Sequence, residues 1–153
     1  MENVLISACL LGIACRYDGR SKPLDERVLA ELRAHCHLIP ICPEIMGGLP
    51  TPRIASEVGH DRRVVRRDGA DVTAEYQRGA EEALRLARFF ECRLAILKAR
   101  SPACGSGEIY DGTFTGTRIA ADGIAAALLK KNGVRVLTEE DILRTPIDKL
   151  LNS

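Results

Sequence analysis

Cys104 stands in "RSPACGSG", a Pro/Gly/Ser loop that follows an apolar run ending near Lys98. A thiol in such a place can serve as a nucleophile once ionised, or as a soft ligand for a metal. Its company decides between the two. The chain has 6 cysteines and 3 histidines. No two cysteines form a CxxC pair, so the commonest zinc and thioredoxin signatures are missing. A nucleophilic cysteine needs a base beside it, and none of His35, His37 and His60 falls in a loop expected near Cys104.

Four short apolar runs read as buried parallel strands: Asn3 to Ala8, His37 to Ile41, Arg93 to Ala99 and Val134 to Leu137. Pro40 weakens the second of them, because proline cannot donate to a sheet ladder. Helical spacing alternates with the runs. "DERVLAELRAH" carries Val28, Leu29 and Leu32 on one face, and "DVTAEYQRGAEEALRLARFFE" carries Tyr76, Ala80, Ala83, Leu84, Ala87 and Phe90. "DGIAAALLKKNG" ends at Gly133, a natural helix-stop glycine, and Thr138 can cap a short helix starting "TEEDIL". The fold class expected is therefore α/β: a single three-layer Rossmann-like domain over 1–153, with helices covering a mostly parallel sheet.

In such sheets ligands sit beyond the carboxyl ends of the strands, and that rule sorts the cysteines. Cys9 and Cys42 immediately follow the first and second strands, and Cys104 lies a few residues beyond the third. Cys15, in the loop after the first strand, can approach the same place. Cys36 and Cys92 precede strands, which puts them at the opposite edge as small buried hydrophobes. His35 and His37 bracket Cys36, but no further ligand stands at metal spacing.

Three thiols on one edge are compatible with ordinary burial of cysteine, with a zinc ion that keeps an open position, or with an iron–sulfur cluster that has one iron free of protein. Gly12, Gly47, Gly48, Gly105 and Gly107 follow these cysteines, so backbone can approach a bulky anionic group closely, which favours a cluster over a bare ion. Glu44, two residues past Cys42, is either a helix-start carboxylate or a proton-transfer group beside the metal. Ser101 is either a cap before Pro102 or a group that orients substrate or water. Arg16, Asp18 and Arg53 are candidate substrate contacts, since their loops lie on the same edge.

Lys and Arg number 22 against 21 Asp and Glu, a formal net charge of +1. That balance argues against a large RNA footprint, which needs many cationic phosphate contacts. The densest basic run, "DRRVVRR", lies beside the turn-like "RDGADV" and reads as a solvated hairpin, with a phosphate patch as the alternative. No run approaches the ~18 apolar residues of a membrane span, and the apolar stretch near Met1 has no basic region before it. The expectation is a cytoplasmic protein with reduced thiols and no membrane partner.

Taken together, "SACLLG" and "CRYDG", then "CPEIMGGLPTPR", "DVT", "LKARSPACG" and "IYDGTFTG", resemble the thiouracil desulfidases, a family formerly labelled only a domain of unknown function. The resemblance runs from about Leu5 to Val136, with the motifs in the family's order. It implies a [4Fe-4S] cluster held by Cys9, Cys42 and Cys104, with one iron not ligated by protein. It further implies Glu44 as the acid/base carboxylate and Ser101 as the active-site serine. Cys15 is not a required position, and Ala103 stands where the usual motif has Ser. The implied partner is a small thiolated pyrimidine: 2-thiouracil, 4-thiouracil or its nucleotide. Sulfur leaves by ligand exchange and hydrolysis, so no electron donor is required. The contrasting reading is an iron–sulfur or zinc sensor module whose coordination is closed by Cys15.

Overall fold

The computed structural model describes residues 1–151. In chain order the elements are β1 (Glu2–Ser7), a 3₁₀ turn (Ala8–Leu11), α1 (Glu26–His35), β2 (Cys36–Ile41), α2 (Pro43–Met46), β3 (Ser56–Val58) and β4 (Val64–Arg66). There follow α3 (Thr73–Phe89), β5 (Leu94–Leu97), β6 (Ile109–Tyr110), β7 (Arg118–Ile119), α4 (Ile124–Lys131), β8 (Arg135–Thr138), α5 (Glu139–Arg144) and α6 (Ile147–Leu151).

The four apolar runs of the sequence become β1, β2, β5 and β8, which form a parallel sheet of order β2-β1-β5-β8. Pro40 is accommodated because β2 is an edge strand, where a missing donor interrupts no second ladder. Side chains alternate across the sheet with the period of two that a strand imposes. Val4, Ile6, Leu94 and Ile96 pack with Leu32 of α1, Ile142 of α5 and Ile147 of α6. Leu5, Ala95 and Leu97 pack on the other face with Ala83 and Ala87 of α3 and Ala126 and Leu129 of α4. These are the three layers expected. Among the described residues, no helix is long and apolar enough to cross a membrane.

Helix ends follow the sequence signals. Asp25 accepts from Arg27 N to open α1, Thr138 and Asp141 form a capping box for α5, and Gly133 takes a φ of 84° just past α4. The basic run forms a hairpin of β3 with β4, extended by a bridge from Val65 to Asp71. Of the ribbon of β6 with β7, "YDGTF" signals the turn, but strands of 2 residues each leave no alternation to read.

One contact fixes the chain just after β2. A Cβ on Gly79 of α3 would stand 1.8 Å from Pro43 O, and one on Gly47 would stand 2.0 Å from Glu75 O. Only glycine at both positions lets α2 lie against α3 this closely. Alanine at Gly79 improves helix propensity by about 1 kcal/mol. The clash is between backbone atoms that cannot rotate away, and overpacking of that kind costs about 1–3 kcal/mol. Gly79→Ala is therefore expected to lower the melting temperature despite the better helix former, as a thermal melt would show. An unchanged or raised Tm would mean that α2 can shift freely.

Candidate active site

The strand order reverses beside β1: the chain leaves β1 for β2 on one side and leaves β5 for β8 on the other. Loops diverge at such a point and open a crevice at the carboxyl ends of the strands. Here the crevice is a cavity of ≈ 540 Å³, within the usual range for small-molecule sites. Cys9, Cys42 and Cys104 all line it, as do Cys15, Glu44, Ser101, Arg16 and Arg53. Asp18 does not: it sits behind Arg16, with Oδ1 3.5 Å from Arg16 Nε, and accepts from Arg20 N at 3.0 Å. Cys36 and Cys92 are buried at the other end of the strands, where Cys36 Sγ donates to Leu32 O at 3.2 Å. His35, His37 and His60 are exposed, and no histidine lines the cavity.

Each cysteine is delivered by a different device. Cys9 lies in the 3₁₀ turn that directly continues β1. Cys42 is the N-cap of α2, with Pro43 as its first residue, so the glycine contacts with α3 hold it in place. Cys104 lies in a loop sewn to the start of α4: Gly123, Ile124, Ala125 and Ala126 donate their backbone N–H groups to the carbonyls of Gly105, Pro102, Ala103 and again Ala103. Ser101 tightens the same loop, its Oγ accepting from Ala103 N at 3.1 Å and Cys104 N at 3.0 Å. Both lone pairs of that hydroxyl are then occupied, and its O–H remains as a donor. Capping and function are thus compatible in Ser101.

The thiols feel one another. Burial pushes the Cys9 thiol up to about 11, against the pull of Lys98 and Arg16, with Cys42 adding to the rise. Burial also raises Cys15, to about 12, with Cys42 and Cys9 adding to it and Arg53 opposing. Cys104 is raised by burial despite a hydrogen bond from Ser7, and Glu44, Cys9 and Cys42 push it further. A buried set of mutually opposed thiols is a donor set that a cation would relieve, since coordination deprotonates a thiol outright. Among the described residues, no three Cys, His, Asp or Glu are gathered tightly enough to hold a metal ion directly; the thiols surround a cavity instead. Soft ligands around a roomy, glycine-flanked cavity fit an iron–sulfur cluster.

Glu44 is held from two sides. Its Oε2 accepts from Tyr76 Oη at 2.7 Å and from Arg53 Nε at 3.0 Å. Burial works against the charge of Arg53, and the adjacent Glu44 carboxylate more than restores it. Tyr76 is held well above the ordinary phenol range, first by burial and then by Glu44. Tyr76 and Ser7 had no functional reading in the sequence. For Tyr76 there was a signal: it brings a hydroxyl to an otherwise apolar helix face, and a buried tyrosine hydroxyl needs a partner. Arg67, from the hairpin, also reaches the cavity and stacks on Phe114 at 5.0 Å.

The 2-thiouracil desulfurase family model matches residues 4–141. The chain is similar to YbbK of Bacillus subtilis (strain 168), an uncharacterised protein, with 40% identity over 148 residues covering 91% of this chain and 97% of the relative. It is also similar to the solved structure of the [4Fe-4S]-dependent thiouracil desulfidase TudS (DUF523), with a TM-score of 0.90 and 44% identity over 99% of both chains.

Proposed function

We propose that this chain, which belongs to the 2-thiouracil desulfurase family, hydrolyses the C–S bond of a thiolated uracil to give uracil and sulfide. The observation that carries the reading is the convergence of Cys9, Cys42 and Cys104 on one cavity with Glu44 and Ser101. Those three cysteines would hold a [4Fe-4S] cluster with one iron free of protein. Bound there, the cluster supplies a Lewis acid that polarises the C–S bond, as metal ions polarise carbonyls.

The chain's own groups do the rest. The walls hold the ring, and the Ser101 O–H is a donor for a ring oxygen or for the attacking water. Glu44 takes the proton from that water as oxygen bonds to the ring carbon, and returns it to the departing sulfur. Water adds, hydrogen sulfide leaves, and no atom changes its net oxidation state, so the reaction needs no electron donor. The reading goes with a cytoplasmic protein forming a single domain over 1–153.

Lys22 and Arg67 line the cavity without a carboxylate within ion-pair distance among the described residues, which supports room for one phosphate and hence a mononucleotide. The net charge of +1 speaks against transfer RNA. The test is anaerobic reconstitution with iron and sulfide, followed by assay of thiouracil, its mononucleotide and thiolated transfer RNA without reductant. Equal amounts of sulfide and desulfurated product from the small substrates are expected. A colourless protein that holds zinc and releases no sulfide would sink the reading, and preference for intact RNA would overturn the substrate class.

A further inference from the structure

We infer that Arg53 and Tyr76 are positioning residues that act through Glu44, occupying its Oε2 and leaving Oε1 as the oxygen for proton transfer. This rests on the acid–base role proposed for Glu44. A carboxylate oxygen has two lone-pair directions, and at Oε2 both are filled, by Tyr76 Oη at 2.7 Å and Arg53 Nε at 3.0 Å. Neither donor is free to leave. Tyr76 is buried at 2% exposure on α3, and the α3 face that carries it meets α2, which carries Glu44, through the contacts of Gly79 and Gly47.

Arg53 is anchored as firmly. Its Nη1 donates to Pro50 O at 3.1 Å and Thr51 Oγ1 at 3.2 Å, and its Nη2 donates to Cys15 O at 3.0 Å. With Nε on Glu44, four of the five N–H groups of a guanidinium are engaged within the protein. That leaves little with which to grip a substrate and reassigns Arg53 from a substrate contact to a clamp. The two donors come from separate segments, one from the loop after α2 and one from α3, so together they stop rotation about the last side-chain bond. A proton-transfer group gains from such fixing because misplacement by about 1 Å can cost 10²-fold in rate.

The test is a double-mutant cycle read as kcat per bound iron, with KM and iron content measured alongside. Tyr76→Phe removes one donor and keeps the ring. It is expected to lower kcat per iron about 10- to 100-fold, the range spanned by one hydrogen bond to a charged group, with KM and iron content unchanged. Arg53→Lys keeps the charge but loses the fork, and the same pattern is expected. In a Glu44→Gln background, adding Tyr76→Phe should cost nothing further, because the group it positions no longer transfers protons. Losses that multiply, or that appear in KM or iron content, overturn the clamp. A normal rate per iron in Glu44→Gln alone removes the underlying acid–base role, so the two failures are distinguishable.

Discussion

Serine in place of Cys9, Cys42 or Cys104 is expected to strip most of the iron from the reconstituted protein and abolish desulfuration. Serine at Cys36 or Cys92 should preserve both. The contrast follows from position. The first three line one cavity at the carboxyl ends of β1, β2 and β5, and the other two are buried at the opposite end of the strands. A serine oxygen is a poor replacement for thiolate at iron, being harder and far less acidic. Cys15 is the discriminating position. It is buried in the same cavity, and its carbonyl already accepts from Arg53 Nη2. Cys15→Ser should keep the iron, because three ligands and an open iron are what the proposed chemistry requires. Iron content by colorimetry and the visible spectrum of each variant check the set. Full loading in Cys42→Ser would overturn the assignment, and loss of the cluster in Cys15→Ser would favour a closed, sensor-like centre.

Glu44→Gln is expected to leave iron content and melting temperature close to those of the parent while slowing turnover per cluster by about 10²- to 10⁴-fold, the usual contribution of a general acid or base. The glutamine amide is nearly isosteric, and its oxygen can still accept from Tyr76 and Arg53, so the clamp survives and only proton transfer is lost. Substrate should bind as before. Single-turnover kinetics normalised to iron separate the two steps. If the rate per cluster is normal and the losses fall on stability or iron loading, Glu44 is a helix-start carboxylate and nothing more.

The site was legible in the sequence to the extent that it depends on strand ends. Val4, Leu5 and Ile6 of β1, and Leu94, Ala95 and Ile96 of β5, are apolar on both faces, which marks a strand covered on both sides. Once the strands are parallel, the thiols that follow them must gather at one edge, whatever the strand order. The order itself was not readable, because no local signal says that β1 lies between β2 and β5. Nor was the environment of Glu44. The helical spacing around Tyr76 reads as core, and only the close approach of α2 to α3 brings its hydroxyl to a carboxylate 32 residues away in the chain. The clamp proposed for Arg53 was hidden for the same reason: its partners at Pro50, Cys15 and Glu44 belong to different segments and meet only in the fold.

The sewing of the Cys104 loop to α4 has a further consequence. In dinucleotide-binding sheets of this general architecture, a helix that begins at the carboxyl edge keeps its first N–H groups free, and they grip a pyrophosphate. Here the amides of Gly123, Ile124, Ala125 and Ala126 are already bonded to the carbonyls of residues 102, 103 and 105. The anion cradle has been traded for a thiolate-bearing strap. A substrate phosphate would therefore fall to flexible side chains such as Lys22 and Arg67, and affinity for it should depend on salt more steeply than at a backbone nest.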